Sequence, residues 1–209
     1  MSNPNIEALP GMVNYSCTVP ASSSGIGNIT NAPHFVDQAA GNLRLQSNSP
    51  CINSGHNTFI RTILDLDGNP RVVGGTVDMG AYEFQSPASG ISYAWLSEYR
   101  LPADGSADSQ DQDGDGMNNW QEWRAGTSPI DRSSALRMWI LNATGSDVTL
   151  GWASVTNRVY VVEKAVGLPS GFAFSPLAKE IRGFDGVSTF VDTNKVDSDF
   201  IFYRVGVQE

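Results

Sequence analysis

Apolar and polar residues alternate in short runs through the first part of the chain, between about Val13 and Phe84. The apolar runs are only three to seven residues long, and they lack the period of about 3.6 residues that marks an amphipathic helix. Clusters of Gly, Asn, Ser and Pro separate them, and such clusters favour turns. The pattern predicts an all-β region with short strands at residues 13–19, 34–36, 42–45, 50–52, 62–64 and 71–73.

Alternation returns more strictly in the C-terminal part, over residues 136–207. Val148, Leu150 and Trp152 fall on one side of a predicted strand, because side chains alternate between the two faces of a sheet. Further strands are predicted at residues 158–163, 187–191 and 201–207. Five or more short strands in this stretch indicate a small antiparallel β-sandwich with almost no helix.

Two short helices are predicted between these β regions. The first covers residues 92–99, and the second covers residues 119–124 with Gly126 placed to end it. Trp120 and Trp123 lie three positions apart on the second helix. We interpret both as core residues that dock this helix on the first, in preference to a role in stacking on sugar rings.

The segment 111–122, which leads into the second helix, fits a calcium loop of the EF-hand type. Such a loop places oxygen ligands at positions 1, 3, 5, 7, 9 and 12 and a glycine at position 6. Gly116 occupies position 6. A solvated acidic turn explains the aspartates but not the positions of the glycine and the glutamate. The sequence therefore predicts a Ca²⁺ site whose ligands are Asp111, Asp113, Asp115, the Met117 carbonyl, Asn119 and Glu122.

Composition narrows the range of partners. The 209-residue chain has 13 basic and 22 acidic side chains and a formal net charge of -9. This excess of negative charge disfavours nucleic acid and anionic membrane surfaces. No apolar run approaches the roughly 20 residues of a membrane span, and the first residues are polar, unlike a signal peptide. At face value, these features are typical of a cytoplasmic protein.

The two cysteines, Cys17 and Cys51, leave two alternatives open: one disulfide or two buried thiols. Their separation excludes a C-x-x-C site. Only two histidines, His34 and His56, accompany them, so the sequence does not favour a structural zinc site.

Candidates for catalysis are few, and the sequence leaves open whether the protein is an enzyme. No Gly-x-Ser-x-Gly motif is present. Ser24, His56 and Asp65 supply the residue types of a catalytic triad, although no spacing favours them. Carboxylates that would suit a polysaccharide hydrolase or lyase also suit turns, and they are Asp37, Asp65, Asp67, Asp78 and Glu83.

Other acidic residues raise the question of a second cation. Asp104, Asp108 and Asp131 flank the loop, and they either complete a further calcium shell or, as we favour, cap turns. Asp65-Leu66-Asp67-Gly68 also resembles the start of a cation loop. It lacks the following helix and glutamate, so we favour a turn there.

Two segments resemble known families. Residues 24–83, ending in Asp65-Leu-Asp-Gly-Asn-Pro-Arg71 and Val77-Asp-Met-Gly-Ala-Tyr-Glu83, resemble the last coils of secreted bacterial right-handed β-helix proteins of the choice-of-anchor type. Residues 95–129 are similar to the calcium motif of bacterial thrombospondin type 3 and dockerin-like repeats. Ala32 and Asn53 stand where the first family usually has Asp, and Ser128 does so in the second.

The resemblance implies a mainly β protein in three parts. These are a short right-handed parallel β-helix fragment at residues 1–85, a helical linker with the calcium loop at 86–132, and an antiparallel β-sandwich at 133–209. It further implies a calcium-stabilised structural or anchoring region of an extracellular bacterial surface protein, with polysaccharide or the cell envelope as partner.

Against the face-value cytoplasmic location, we expect the chain to be a fragment whose secretion signal and further coils are missing. An uncapped coil would expose strand edges, which predicts a homo-oligomer joined through residues near 1–45. The alternative function is a hydrolase or lyase acting on a polysaccharide or ester, or a carbohydrate-binding module, that uses the β-helix face.

Overall fold

The structure, a computed structural model, describes residues 13–22, 25–144, 147–167, 173–193 and 200–208. These residues form a mainly β fold with two short α-helices. The chain forms two compact units, Met1–Gln110 and Asp111–Glu209. The boundary between them falls within the segment predicted as a linker, and the predicted calcium loop is the first part of the second unit.

The first unit contains one antiparallel strand pair among its described residues, β1 (Phe35–Asp37) with β2 (Asn42–Leu45). Isolated bridges join Cys17 to Ile29 in parallel and Leu64 to Pro70 in antiparallel orientation. The strands predicted at residues 50–52 and 71–73 are absent, as are continuous strands at 13–19 and 62–64.

Side chains, in place of neighbouring strands, bind the backbone in these irregular segments. The backbone N–H of Val73 donates to Glu83 Oε1 at 3.0 Å, and that of Ser16 donates to Asn28 Oδ1 at 3.0 Å. Asn14 Oδ1 likewise accepts the N–H of Ile26 at 2.8 Å. Polar residues therefore satisfy backbone groups that the apolar pattern alone assigned to strands.

The helix predicted at residues 92–99 is confirmed as α1 (Tyr93–Glu98). Ser92 begins it, because the Ser92 side chain accepts the N–H of Trp95. Tyr93 and Leu96 face the interior of the first unit, where Ile52 and Ile91 are fully buried. The N–H of Tyr93 donates to the Ile52 carbonyl at 3.1 Å, which fixes the helix start against this core.

The described residues of the second unit form two three-stranded antiparallel sheets that share one apolar core. The first sheet has the order β3 (Met138–Thr144), β4 (Asp147–Ser154), β7 (Gly186–Asp192). The second has the order β6 (Ser175–Arg182), β5 (Val159–Val166), β8 (Ile201–Val207). The prediction for β4 is confirmed, since the buried cluster is formed by Val148, Leu150, Trp152, Tyr160 and Val162.

A buried ion pair connects the two sheets. Lys164 on β5 donates from Nζ to Asp192 Oδ2 on β7 at 2.6 Å, and the Tyr203 hydroxyl on β8 donates to the same oxygen at 2.8 Å. Burial, followed by the hydrogen bond to this carboxylate, raises the pKa of Tyr203. The ion pair links β5 of one sheet to β7 of the other, at a buried position where an unpaired charge would be costly.

Candidate metal centre

Asp111 organises the loop around its own carboxylate. Its Oδ1 accepts the N–H groups of Gly114 at 2.8 Å and Asp115 at 3.2 Å, and its Oδ2 accepts that of Gly116 at 3.0 Å. Gly116 has φ 99°, a conformation that residues with a side chain rarely adopt. The glycine predicted at loop position 6 is therefore required by the backbone.

Asp113 and Asp115 each use one oxygen for the loop and keep the other available. Asp113 Oδ1 accepts the N–H of Asp115 at 3.1 Å, and Asp115 Oδ1 accepts that of Met117 at 2.7 Å. The Oδ2 atom of each residue is buried and receives no hydrogen bond from the described residues. One ligand atom from each of Asp111, Asp113 and Asp115 lies within 4.8 Å of the others.

Glu122 faces this triad from the following helix, α2 (Asn119–Ala125). Asn118 begins α2 through a reciprocal capping box with Gln121, and Gly126 ends it with φ 76°. This fixed start orients the first turn. Glu122 is 0% exposed, and neither of its carboxylate oxygens receives a hydrogen bond from the described residues. Asn119, at loop position 9, is equally buried.

The charged groups that act on Glu122 are all acidic. Burial, followed by the negative charges of Asp113, Asp115 and Asp111, raises its pKa to about 7. Buried carboxylates are ordinarily paired with a cation or hydrogen-bonded. Here the neighbouring charges all have the same sign. The donor set, carboxylate and carbonyl oxygen, is the one that hard cations such as Ca²⁺ take.

Two residues that precede β-strands of the same unit, Arg158 and Leu136, bind α2 and the loop. Arg158, just before β5, donates from Nε to the Arg124 carbonyl at 2.8 Å and from Nη2 to the Trp123 carbonyl at 3.1 Å. The N–H of Leu136 donates to the Met117 sulfur at 3.2 Å. The sequence pointed only to the Met117 carbonyl. No local pattern signalled Arg158, which lies more than 30 residues from its partners.

The prediction that Trp120 is a core residue is wrong. Its side chain is 44% exposed, and the Arg124 guanidinium lies 5.6 Å from its ring centroid. Asn119, Glu122 and Ala125 occupy the buried side of α2, and this turns position 120 outward. Trp123 is half-buried.

Asp65 and Asp78 of the first unit accept hydrogen bonds from the backbone of the same unit. Asp65 Oδ1 accepts the N–H groups of Asp67 and Asn69, both at 2.9 Å, and its Oδ2 accepts that of Glu83 at 3.0 Å. Asp78 accepts the N–H groups of Asn53 at 2.8 Å and Phe84 at 2.6 Å. These bonds tie distant turns together, so the carboxylates act as backbone acceptors.

Arginines complete this network. Arg71 donates to Glu83 Oε2 at 2.9 Å, and Arg44 donates from Nε to Asp67 Oδ2 at 2.6 Å. Burial raises the pKa of Asp78 to about 6 and that of Glu83 to about 7, while backbone N–H bonds and Arg71 oppose the rise. The Arg44 guanidinium already pairs with Asp67, which disfavours a metal ion at the Asp65-x-Asp67 turn.

The residues weighed for catalysis do not form an obvious active site. Ser24 lies outside the described residues. The His56 ring packs against both Tyr15 and Phe59, with ring centroids 4.6 and 5.6 Å away. Asp37, on the surface, accepts the N–H of Ala40 at 3.1 Å. A cavity of about 450 Å³ does open elsewhere in the first unit, and its lining includes His34, Tyr93 and Arg100.

The three aspartates that flank the loop cap turns or join loops. Asp104 accepts both the N–H and the hydroxyl of Ser106, and Asp131 does the same with Ser133. The Ser89 hydroxyl donates to Asp108 at 2.7 Å. The capping role that we favoured thus has specific partners.

Comparison with protein-family models, with curated proteins and with solved structures gives no match to this chain. Neither helix among the described residues has the length or apolar composition that crossing a bilayer requires. The interpretation of the site therefore depends on its own geometry.

Proposed function

We propose that residues 111–122 bind one Ca²⁺ ion and that the bound ion stabilises the second unit. The observation that carries this proposal is Glu122, which is fully buried with no hydrogen bond to either carboxylate oxygen from the described residues. The charges of three aspartates face it. A divalent cation among these carboxylates would replace their mutual repulsion by attraction to the ion. No positively charged side chain among the described loop residues has this effect.

Each ligand has a defined part in this proposal. Carboxylate oxygens come from Asp111, Asp113, Asp115 and Glu122, the carbonyl comes from Met117, and Asn119 contributes directly or through water. The loop hydrogen bonds hold the aspartates in position before the ion arrives. Preorganisation of this kind supports a dissociation constant for Ca²⁺ on the order of 10⁻⁴ M or tighter. A value on the order of 10⁻⁴ M is typical of extracellular calcium-binding modules.

The role that we propose for the ion is mechanical. Glu122 lies on α2, and Arg158 holds the C-terminal carbonyls of α2 against the start of β5. Binding free energy gained at the loop therefore adds to the stability of the β-sheets in the same unit. The chain would then serve as a calcium-stabilised structural or anchoring region, non-catalytic in itself.

The family resemblance supports finer proposals. The first unit would be the last coils of a right-handed parallel β-helix and the second a β-sandwich, on an extracellular bacterial surface protein that contacts polysaccharide or the cell envelope. Homo-oligomerisation through residues near 1–45 has support from exposed apolar side chains at Val19, Val36 and Leu43. Light scattering across the micromolar range tests it, and a strictly monomeric mass would oppose it. Residues 1–12, 23 and 24 lie outside the described part of the chain.

One observation favours the second candidate function, a polysaccharide- or ester-acting enzyme or a carbohydrate-binding module. The cavity of the first unit is lined by His34, with φ 47°, and Arg100, with φ 58°. Strained residues of this kind cluster at functional sites. Activity or binding on a glycan and ester panel, lost on His34→Ala and retained on His56→Ala, would establish that function in place of the structural one.

Titration calorimetry with Ca²⁺ tests the calcium proposal on the intact chain. The wild type is expected to bind one ion, and Asp113→Ala is expected to lose most of the heat. Asp67→Ala is the matched control, because it alters the Asp-x-Asp-Gly turn of the first unit, and it is expected to bind as the wild type does. Equal heats from the wild type and Asp113→Ala would overturn the assignment.

A further inference from the structure

Two thiols meet in the first unit. Cys51 is 1% exposed in the core of this unit, and its thiol interacts with the Cys17 thiol. Cys17 is half-buried and donates from Sγ to the Asn31 carbonyl at 3.0 Å. The sequence left a disulfide and two buried thiols as equal alternatives, and this interaction favours the disulfide.

Independent contacts hold the Cys17 segment in this place. Thr18 N–H donates to the Ile29 carbonyl at 3.0 Å, and Ile29 N–H donates to the Ser16 carbonyl at 3.0 Å, on either side of Cys17. Tyr15 packs its ring 4.6 Å from that of His56, which follows Cys51 by five positions. The approach of the two sulfur atoms therefore agrees with the course of both backbone segments.

We propose that Cys17 and Cys51 are a disulfide pair, formed by exchange with an external disulfide such as oxidised glutathione. The Cys17 thiolate attacks the external disulfide, which breaks the S–S bond of the oxidant and releases one thiolate. Cys51 then loses its proton and attacks the Cys17 sulfur, which releases the second thiolate. In total, two protein thiols give two electrons and two protons to the oxidant, and one S–S bond replaces another.

The order of attack follows from exposure. Cys17 is the more accessible thiol, whereas burial raises the pKa of Cys51 to about 12, with Cys17 the next cause. Thiolate is the reacting form, so the second step is expected to accelerate as pH rises. The bond would close residues 17–51, including β1 and β2, into one covalent loop. Crosslinks of this length stabilise mainly by restricting the unfolded chain.

The test uses the full wild-type chain, incubated natively with oxidised or with reduced glutathione. Each sample is then denatured, alkylated and analysed by intact mass and by peptide mapping. The oxidised sample is expected to lose two hydrogen masses, to resist alkylation at both cysteines, and to yield a peptide that links Cys17 to Cys51. Two alkylated cysteines, a glutathione adduct without the link, or a covalent dimer would each overturn the proposal.

Thermal unfolding gives a second readout. Oxidation of the wild type is expected to raise the midpoint of the first unit by roughly 15 °C, as estimated from the loop length. Cys17→Ser is the control, and its midpoint is expected to be the same in both redox states. A wild-type midpoint that does not change while the link is present by mapping would overturn the stabilising role. Calcium binding is measured separately by calorimetry, so the absence of a disulfide would not contradict the calcium proposal.

Discussion

The two units contain the same short motif with opposite outcomes. Asp65-Leu66-Asp67-Gly68 in the first unit and Asp111-Gln112-Asp113-Gly114 in the second are both Asp-x-Asp-Gly. In the first, backbone N–H groups occupy both oxygens of Asp65, and Arg44 pairs with Asp67. In the second, four buried oxygens of Asp113, Asp115 and Glu122 receive no hydrogen bond from the described residues.

The difference shows that the supply of donors decides what an acidic turn does. Where backbone N–H groups and an arginine converge, carboxylates act as structural acceptors, as at Glu83 with Arg71 and Val73. Where only other carboxylates converge, as at Glu122, a cation has to come from solution or the site has to take up a proton. The predictions below test each side of this contrast.

The largest effect is expected from Glu122→Gln. This change removes the charge that closes the loop, and it should weaken Ca²⁺ affinity by about 100-fold or more, since even changes beyond the direct ligands cost about 10- to 100-fold. Calorimetry measures the affinity. In calcium-free buffer the variant should be at least as stable as the wild type, because the repulsion at this position is gone. Glu83→Gln serves as the control, and loss of calcium affinity in that variant would break the contrast.

On the first unit, Asp65→Ala should lower the free energy of unfolding by about 2 kcal/mol. It leaves the N–H groups of Asp67, Asn69 and Glu83 without their acceptor, and an unsatisfied buried group costs about 1–3 kcal/mol. Chemical denaturation of the variant, with and without Ca²⁺, measures the loss. Asp65→Asn keeps one acceptor oxygen and should lose less. A loss that calcium restores would mean that Asp65 also binds an ion.

The pH dependence follows from the raised pKa of Glu122, about 7 in the calcium-free protein. The ion requires the deprotonated carboxylate, so affinity should fall about tenfold between pH 8 and pH 6. Without calcium the sign is reversed: this group contributes stability that is present below its ordinary pKa and lost as pH rises through about 7. Calorimetry at both pH values, with proton release measured in two buffers, checks this. An affinity that does not change with pH would show that Glu122 is not a ligand.

A smaller effect is expected from Arg158→Met. The change removes the two hydrogen bonds that hold the C-terminal carbonyls of α2. We expect a loss of about 1–2 kcal/mol in the stability of the second unit and a several-fold weaker Ca²⁺ affinity. Arg204→Met is the matched control, since Arg204 pairs with Glu163 on the surface and should cost under about 1 kcal/mol. Unchanged calcium affinity in Arg158→Met would separate the loop from the β-sheets.

The smallest effect is expected from Asp131→Asn, because Asp131 caps the turn at Ser133. The stoichiometry of calcium binding should stay at one ion. A second ion in the wild type that this variant loses would restore the alternative of a further calcium shell.

Local sequence signals predicted the local structure around the loop well, because the contacts there are also local. The loop positions of Gly116 and Glu122, the start of α2 and its end at Gly126 all depend on residues within a few positions of each other. The buried alternation of Val148, Leu150 and Trp152 was equally readable.

Features decided by distant contacts escaped prediction. Arg158 follows β3 and β4 along the chain, yet it donates a hydrogen bond to the Arg124 carbonyl of α2. In the first unit, Glu83 and not a neighbouring strand accepts the hydrogen bond from the Val73 N–H. The strand β6 contains Pro176, Lys179 and Glu180, which carry no apolar alternation. Trp120 was misjudged because Asn119, Glu122 and Ala125 form the buried side of α2, which leaves the largest apolar residue of the helix outside.

The central claim is that the loop at 111–122 holds calcium through its buried acidic oxygens. Diffraction from crystals grown with Ca²⁺, with anomalous scattering to locate the ion, tests it most directly. We predict one ion with oxygen ligands at about 2.3–2.6 Å from Asp111, Asp113, Asp115, Met117 and Glu122. An ion at Asp65 or Asp67, or a loop without an ion while Glu122 stays buried and protonated, would contradict the account.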